Sequence, residues 1–269
     1  MTRSCKTLAA SAAALFLLSS AAIAGINVEG SLSHEKAAQT GETYRGTLAI
    51  RNTGKTPADV KLYQTDYRFD ASGRNDYAEP GSLPRSNARW IRPGQPQFHI
   101  PPGEVVHAPY EVRVPDDASL KGSYWSMIMV EPLAAAEAAP AAAKKNTVQL
   151  TQSIRYAVQI VTDVGAGAEP ALAFTNPATS VLDGRKLFSI DVGNDGERWV
   201  RASFWLELYT LEGQPQAKID GEKYRIYPGT SVRARFNVGE IPPGRYRALL
   251  VADGDGENLY GTELQIELR

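Results

Sequence analysis

Side chains able to do chemistry are sparse along this 269-residue chain, and few of them stand at useful spacings. There are three histidines, His34, His99 and His107. His99 and His107 flank the turn Pro101-Pro102-Gly103 and are expected to face each other across a hairpin. Two histidines without a third ligand make a poor zinc site, so they read as structural. Asp253-Gly254-Asp255-Gly256-Glu257 opens like a calcium loop. Asn258 then stands where that loop needs Gly, and Leu264 where it needs a bidentate Glu, so the segment reads as a hairpin turn. No Gly-x-Ser-x-Gly elbow, Walker loop or His-Glu-x-x-His pair is present. The expectation is a non-catalytic protein with no cofactor and no metal.

The remaining candidates are apolar and basic side chains suited to holding another protein. Across residues 147–162, Val148, Leu150, Gln152, Ile154, Tyr156, Val158 and Ile160 alternate with mostly small or polar residues, Arg155 among them. Strict period-2 alternation over this length predicts a strand of roughly 45–50 Å at about 3.4 Å per residue, far beyond the usual five or six residues. It is either the last core strand of a sandwich, with a bulge, or an edge offered to another chain for β-augmentation.

The same alternation recurs along the chain, punctuated by Gly, Pro, Asn and Asp, and predicts many short strands. Leu48-Ala49-Ile50-Arg51-Asn52-Thr53-Gly54 matches Ile190-Asp191-Val192-Gly193-Asn194-Asp195-Gly196 at an offset of 142 residues. Pro102-Gly103-Glu104 matches Pro228-Gly229-Thr230 at 126, and Gly122-Ser123-Tyr124 matches Gly244-Arg245-Tyr246 at 122. Three landmarks repeated in one order predict an all-β fold of two tandem immunoglobulin-like β-sandwich domains. Asn and Gly permit the tight reversals, and Tyr124 or Tyr246 is a candidate for a corner hydroxyl bonded back to the main chain. The small residues of 164–170 mark the hinge. The domains are therefore placed at 25–164 and 169–269, close enough for a cleft between them.

The first 24 residues read as a signal peptide: Arg3 and Lys6, an apolar run from Leu8 to Leu18, and the small-x-small site Ala22-Ile23-Ala24. The run is too short to span a bilayer, so the mature chain is expected to start near Gly25, exported and not inserted in a membrane. The single cysteine, Cys5, leaves with the signal, so no disulfide framework is available. Loss of Arg3 and Lys6 takes the 29 basic side chains to 27 against 30 acidic ones. That formal charge of −3 speaks against a nucleic-acid partner.

Two further segments are open to more than one reading. Residues 133–146 are Ala-rich, interrupted by Pro140, and expected to be a mobile loop. Residues 70–96 form a long polar connection containing Tyr77 and Trp90. Its aromatics either pack it onto the sheet or line a site for glycan or a partner protein.

The signal peptide, the two sandwiches, Thr47-Leu48-Ala49-Ile50-Arg51-Asn52, His99-Ile100-Pro101-Pro102-Gly103-Glu104 and the alternating strand together resemble the periplasmic chaperones of the chaperone/usher pilus pathway, as a divergent member. The resemblance implies a periplasmic chaperone-like accessory to assembly of pili or other surface structures. Its partner would be a protein client, pilin-like or another surface subunit. It implies that Ile154, Tyr156 and Val158 are offered to the client. Arg155 matches the strand-borne basic position that grips the client's terminal carboxylate, with Lys36 or His34 nearest to the second basic position. On its residues alone, Arg155 reads first as an ordinary solvent-facing strand charge.

Overall fold

The computed structural model describes residues 25–133, 154–254 and 258–268. The first stretch carries β1 (Ile26–Glu29), β2 (Ser33–Ala38), β3 (Thr43–Asn52), β4 (Ala58–Phe69) and β5 (Asn75–Ala78). After a 3-10 turn at Ala88–Trp90 come β6 (Ile91–Pro93), β7 (Gln97–Ile100), β8 (Val105–Arg113), β9 (Gly122–Pro132) and β10 (Tyr156–Val164). The rest forms β11 (Leu172–Leu182), β12 (Arg185–Asn194), β13 (Val200–Tyr209), β14 (Pro215–Ile226), β15 (Ser231–Asn237), β16 (Gly244–Gly254) and β17 (Asn258–Leu268).

These strands make two sandwiches. The first stacks the sheet β1-β3-β8-β6 on β2-β10-β9-β4-β5, with β7 also paired to β4. The second stacks β11-β12-β15 on β14-β13-β16-β17. Among the described residues no sheet draws strands from both sides of 165–171. In β13 the alternation is complete: Val200, Ala202, Phe204, Leu206 and Leu208 are buried, and Trp205, Glu207 and Tyr209 face out. The central strand β9 is apolar almost throughout because both of its faces are covered.

The repeated Asn-x-Gly landmark builds the same device twice. Asn52 Nδ2 donates to the carbonyls of Thr56 and Ile100, while its Oδ1 accepts from the Gly54 amide. Asn194 Nδ2 donates to Arg198 and Ile226, and its Oδ1 accepts from Gly196. The two main chains follow suit: Gly103 N donates to Asn52 O, and Gly229 N to Asn194 O. Each amide thus ties three strand ends together at a buried point. Asn52→Ala and Asn194→Ala are each expected to destabilise the protein by about 2 kcal/mol, because buried carbonyls lose their donors. Urea denaturation measures this; a loss below about 0.5 kcal/mol would mean that water replaces the side chain.

Of the two tyrosines, Tyr246 forms the corner, its hydroxyl donating to Pro242 O at 2.8 Å. Tyr124 instead lies against Trp90, ring centroids 4.7 Å apart, under the Arg85 guanidinium. The expected meeting of His99 and His107 does not occur. His99 is on β7 and bonds Asp59 through Nδ1 at 2.9 Å, whereas His107 is on β8 in the facing sheet. The reason is that the Pro101–Gly103 turn crosses between sheets and does not close a hairpin within one.

The connection 70–96 is largely folded. Its first part returns as β5 to pair with the end of β4. Its middle wraps around the buried Asp66 carboxylate, which accepts from the amides of Gly81 and Leu83 and from Ser86 Oγ. Trp90 packs inward, while Tyr77 stays 58% exposed beside Tyr67. The hairpin expected at 253–257 is supported by β16 and β17, which pair up to Gly254 and Asn258; residues 255–257 lie outside the described residues. So do the signal peptide and the Ala-rich segment from residue 134 onward.

Candidate functional site

The first strand of the chain changes sheets. β1 pairs with β3 in one sheet; after Gly30 (φ +87°) the chain crosses the open side of the sandwich, and β2 joins the other sheet beside β10. The pairing of β2 with β10 is parallel and begins only at Ser33 and Gln159. On its other side β10 pairs with β9 along its whole length, from Tyr156 opposite Val130 to Val164 opposite Gly122. Among the described residues, 156–158 therefore pair with β9 on one side and with no strand on the other, and Ile154 and Arg155 lead into β10 ahead of the pairing.

Backbone direction identifies what is left open. Gln159 N donates to Leu32 O, towards β2. Strand backbones point alternately left and right, so Ala157 presents its N–H and C=O to the same side, where no strand among the described residues is paired, and Arg155 would do so if a client extended the strand backwards. An exposed run of such groups is a template for another chain. Side chains alternate the other way. Val158 is fully buried in the core, Tyr156 packs partly against it, and Ile154 is 44% exposed. Leu32, 45% exposed, stands where the crossing ends. Residues 147–153, the first half of the expected long strand, lie outside the described residues.

Arg155 lies on the face opposite Ile154 and Tyr156, and its guanidinium is 3.8 Å from Glu131 across the strand pair. Lys36 is exposed on β2, opposite Thr162. Seven residues along β10 separate those two levels, roughly 23 Å at about 3.3 Å per residue. The structure does not bring Arg155 and Lys36 to one carboxylate. His34 turns inward and shares a hydrogen bond of 2.8 Å with the Tyr110 hydroxyl.

The other end of β10 meets the second sandwich. Val161 and Trp125 pack with Tyr227, flanked by Phe69 and Trp199. Around this apolar patch Tyr227 donates to Gln159 Oε1 at 2.9 Å, Arg225 bonds Ser33 and pairs with Glu35 at 2.5 Å, and Trp199 Nε1 donates to Asp163 at 3.1 Å. Burial pushes the Tyr227 phenol well above its ordinary pKa, so it remains a donor. None of these interface residues was singled out from the sequence. One signal was present: Val161 is apolar at a position where alternation calls for a polar residue.

Among the described residues no helix is long and apolar enough to cross a membrane, and no group of three or more His, Cys, Asp or Glu is placed to hold a metal. No family model matches the chain, and neither does any curated protein. Solved structures do. One is a chaperone–tip adhesin complex of CFA/I fimbriae, at 12% identity over 90% of this chain and 98% of that one, TM-score 0.49. Another is the CsuC–CsuE chaperone–tip adhesion subunit pre-assembly complex from archaic chaperone-usher Csu pili of Acinetobacter baumannii. It has 15% identity over 89% of this chain and 98% of that one, TM-score 0.45. A third is the class 5 fimbriae chaperone CfaA, with 13% identity, coverage of 90% and 98%, and a TM-score of 0.46. The two-sandwich architecture and the open strand edge described above rest on this chain's own pairing.

Proposed function

We propose that the protein is a non-catalytic, exported binding protein that accepts a client subunit of a surface structure by β-strand addition along β10. The carrying observation is that, among the described residues, 156–158 pair with β9 alone, so that the backbone groups of Ala157, with Arg155 just before the strand, lie beside the apolar series Ile154, Tyr156 and Val158. A client strand laid there extends the sheet β2-β10-β9-β4-β5, and its own apolar side chains continue the layer that Tyr156 and Val158 begin. The binding unit is residues 25–164, with 169–269 as the second domain, and the compartment is the periplasm.

Within this reading Ile154 is the side chain most completely given to the client, and Val158 serves chiefly the protein's own core. Arg155 contributes its main chain to pairing and its guanidinium to client carboxylates on the outer face. Lys36, about 23 Å away, meets a different part of the client. Hydrogen exchange on the complex recovered from the native host tests the geometry. The amides of Arg155 and Ala157 should exchange quickly in the free protein and become strongly protected in the complex. Protection elsewhere, with these two amides still open, would remove strand addition from the account.

A further inference from the structure

Apart from the strand edge, the junction between the sandwiches encloses a cavity of about 290 Å³. Its walls come from both sandwiches, with Leu83, Pro84 and Trp125 contributed by the first and Pro228 by the second. Two arginines, Arg68 and Arg85, border this apolar surface. They are not equivalent. Arg85 is held in place: Nη1 donates to Lys121 O at 2.8 Å, and the guanidinium lies 3.7 Å from Glu197 and above the Tyr124 ring. Among the described residues Arg68 has a single, long polar contact, 3.4 Å to Asp76. Asp76 is already gripped by Arg74 through Nε at 2.8 and 2.9 Å. Arg68 is also half exposed, so its guanidinium keeps donors available at the cavity mouth.

An apolar pocket of this size with one available guanidinium selects a particular ligand chemistry. Neutral polar molecules leave the ring and proline walls unsatisfied, and simple inorganic anions leave the volume unused. We propose that the cavity binds a small apolar carboxylate, its ring or alicyclic body against Trp125, Leu83, Pro84 and Pro228 and its carboxylate on Arg68. Bidentate pairing is the geometry a guanidinium offers such a group. Because both sandwiches line the cavity, the occupied state is stabilised only while they stay docked.

The probe is 4-phenylbutyrate, with 4-phenylbutan-1-ol as its uncharged counterpart. Calorimetry on the full mature chain should give one saturable site for the acid, with the alcohol weaker by about tenfold or more, the order expected for a charge-assisted hydrogen bond. Arg68→Gln should bring the acid down to the alcohol's affinity and leave the alcohol unchanged. The Trp125 indole N–H, which donates to Tyr67 O, should shift in the NMR spectrum on titration, and the Trp205 indole should not. Equal binding of acid and alcohol, indifference to Arg68→Gln, a shift confined to Trp205, or no saturable binding would each overturn the assignment.

Discussion

Gly122→Ala is expected to separate the two sandwiches and to destabilise the protein by at least about 3 kcal/mol, among the larger effects of single substitutions. Gly122 opens β9 with φ +82°, and a Cβ there would lie 2.0 Å from the main-chain oxygen of Glu197. Glu197 cannot easily move aside. Its oxygen accepts from Ser123 N, its amide donates to Glu169 O, and its carboxylate pairs with Lys121 at 2.9 Å. The clash therefore falls on the interface itself. Gly103→Ala supplies the control: φ is +78°, but nothing stands within 4 Å of the added Cβ. It should show only the conformational penalty, about 1 kcal/mol. The difference between the two variants isolates the steric contribution. Calorimetric scans should resolve two transitions for Gly122→Ala, and small-angle scattering should show a larger radius of gyration than in the parent. A loss no greater than that of Gly103→Ala, with one transition and an unchanged radius, would show that the junction yields without opening.

That contrast also marks how far the sequence was legible. The internal repeat could be read because Asn52 and Asn194 do the same work at the same point of each sandwich, and an Asn-x-Gly after an alternating strand leaves a visible trace. The junction could not. Tyr227, Trp199 and Arg225 come from turns and strand ends of the second sandwich, and nothing in their local spacing announces that they meet Val161, Asp163 and Glu35. The basic residues were harder still. Arg155 and Lys36 were linked through a resemblance, but their separation depends on the register of a parallel pair formed by residues more than a hundred positions apart. The crossing of β1 to β2 between sheets, after which β2 joins β10 only from Gln159 onward, is carried by Gly30 and two neighbours. Their composition is that of any turn, so the sequence could pose a core strand and an open edge as two readings for β10 but could not place the crossing that bears on the choice.

The edge itself is tested by two substitutions, one just before β10 and one within it, with opposite expected outcomes. Ile154 is 44% exposed, so Ile154→Asp should leave the circular dichroism spectrum and melting temperature close to those of the parent. If a client strand covers this position, the same change places a carboxylate in a newly buried apolar layer. Affinity should then fall by about 30-fold or more, the range of a binding hot spot. Val158 has no exposed surface, so Val158→Asp should unfold the first sandwich whether or not a client exists, since an unpaired charge cannot be buried there. Arg155→Ala lies between them. Its pairing with Glu131 is long and solvent-exposed, so stability should change by less than about 0.5 kcal/mol, and any weakening of the complex can be attributed to lost contact with the client. Surface plasmon resonance with the co-purified client reads all three. Unaltered client affinity in Ile154→Asp, with the fold intact, would mean that β10 ends as an ordinary sheet edge and that the client sits elsewhere on the molecule.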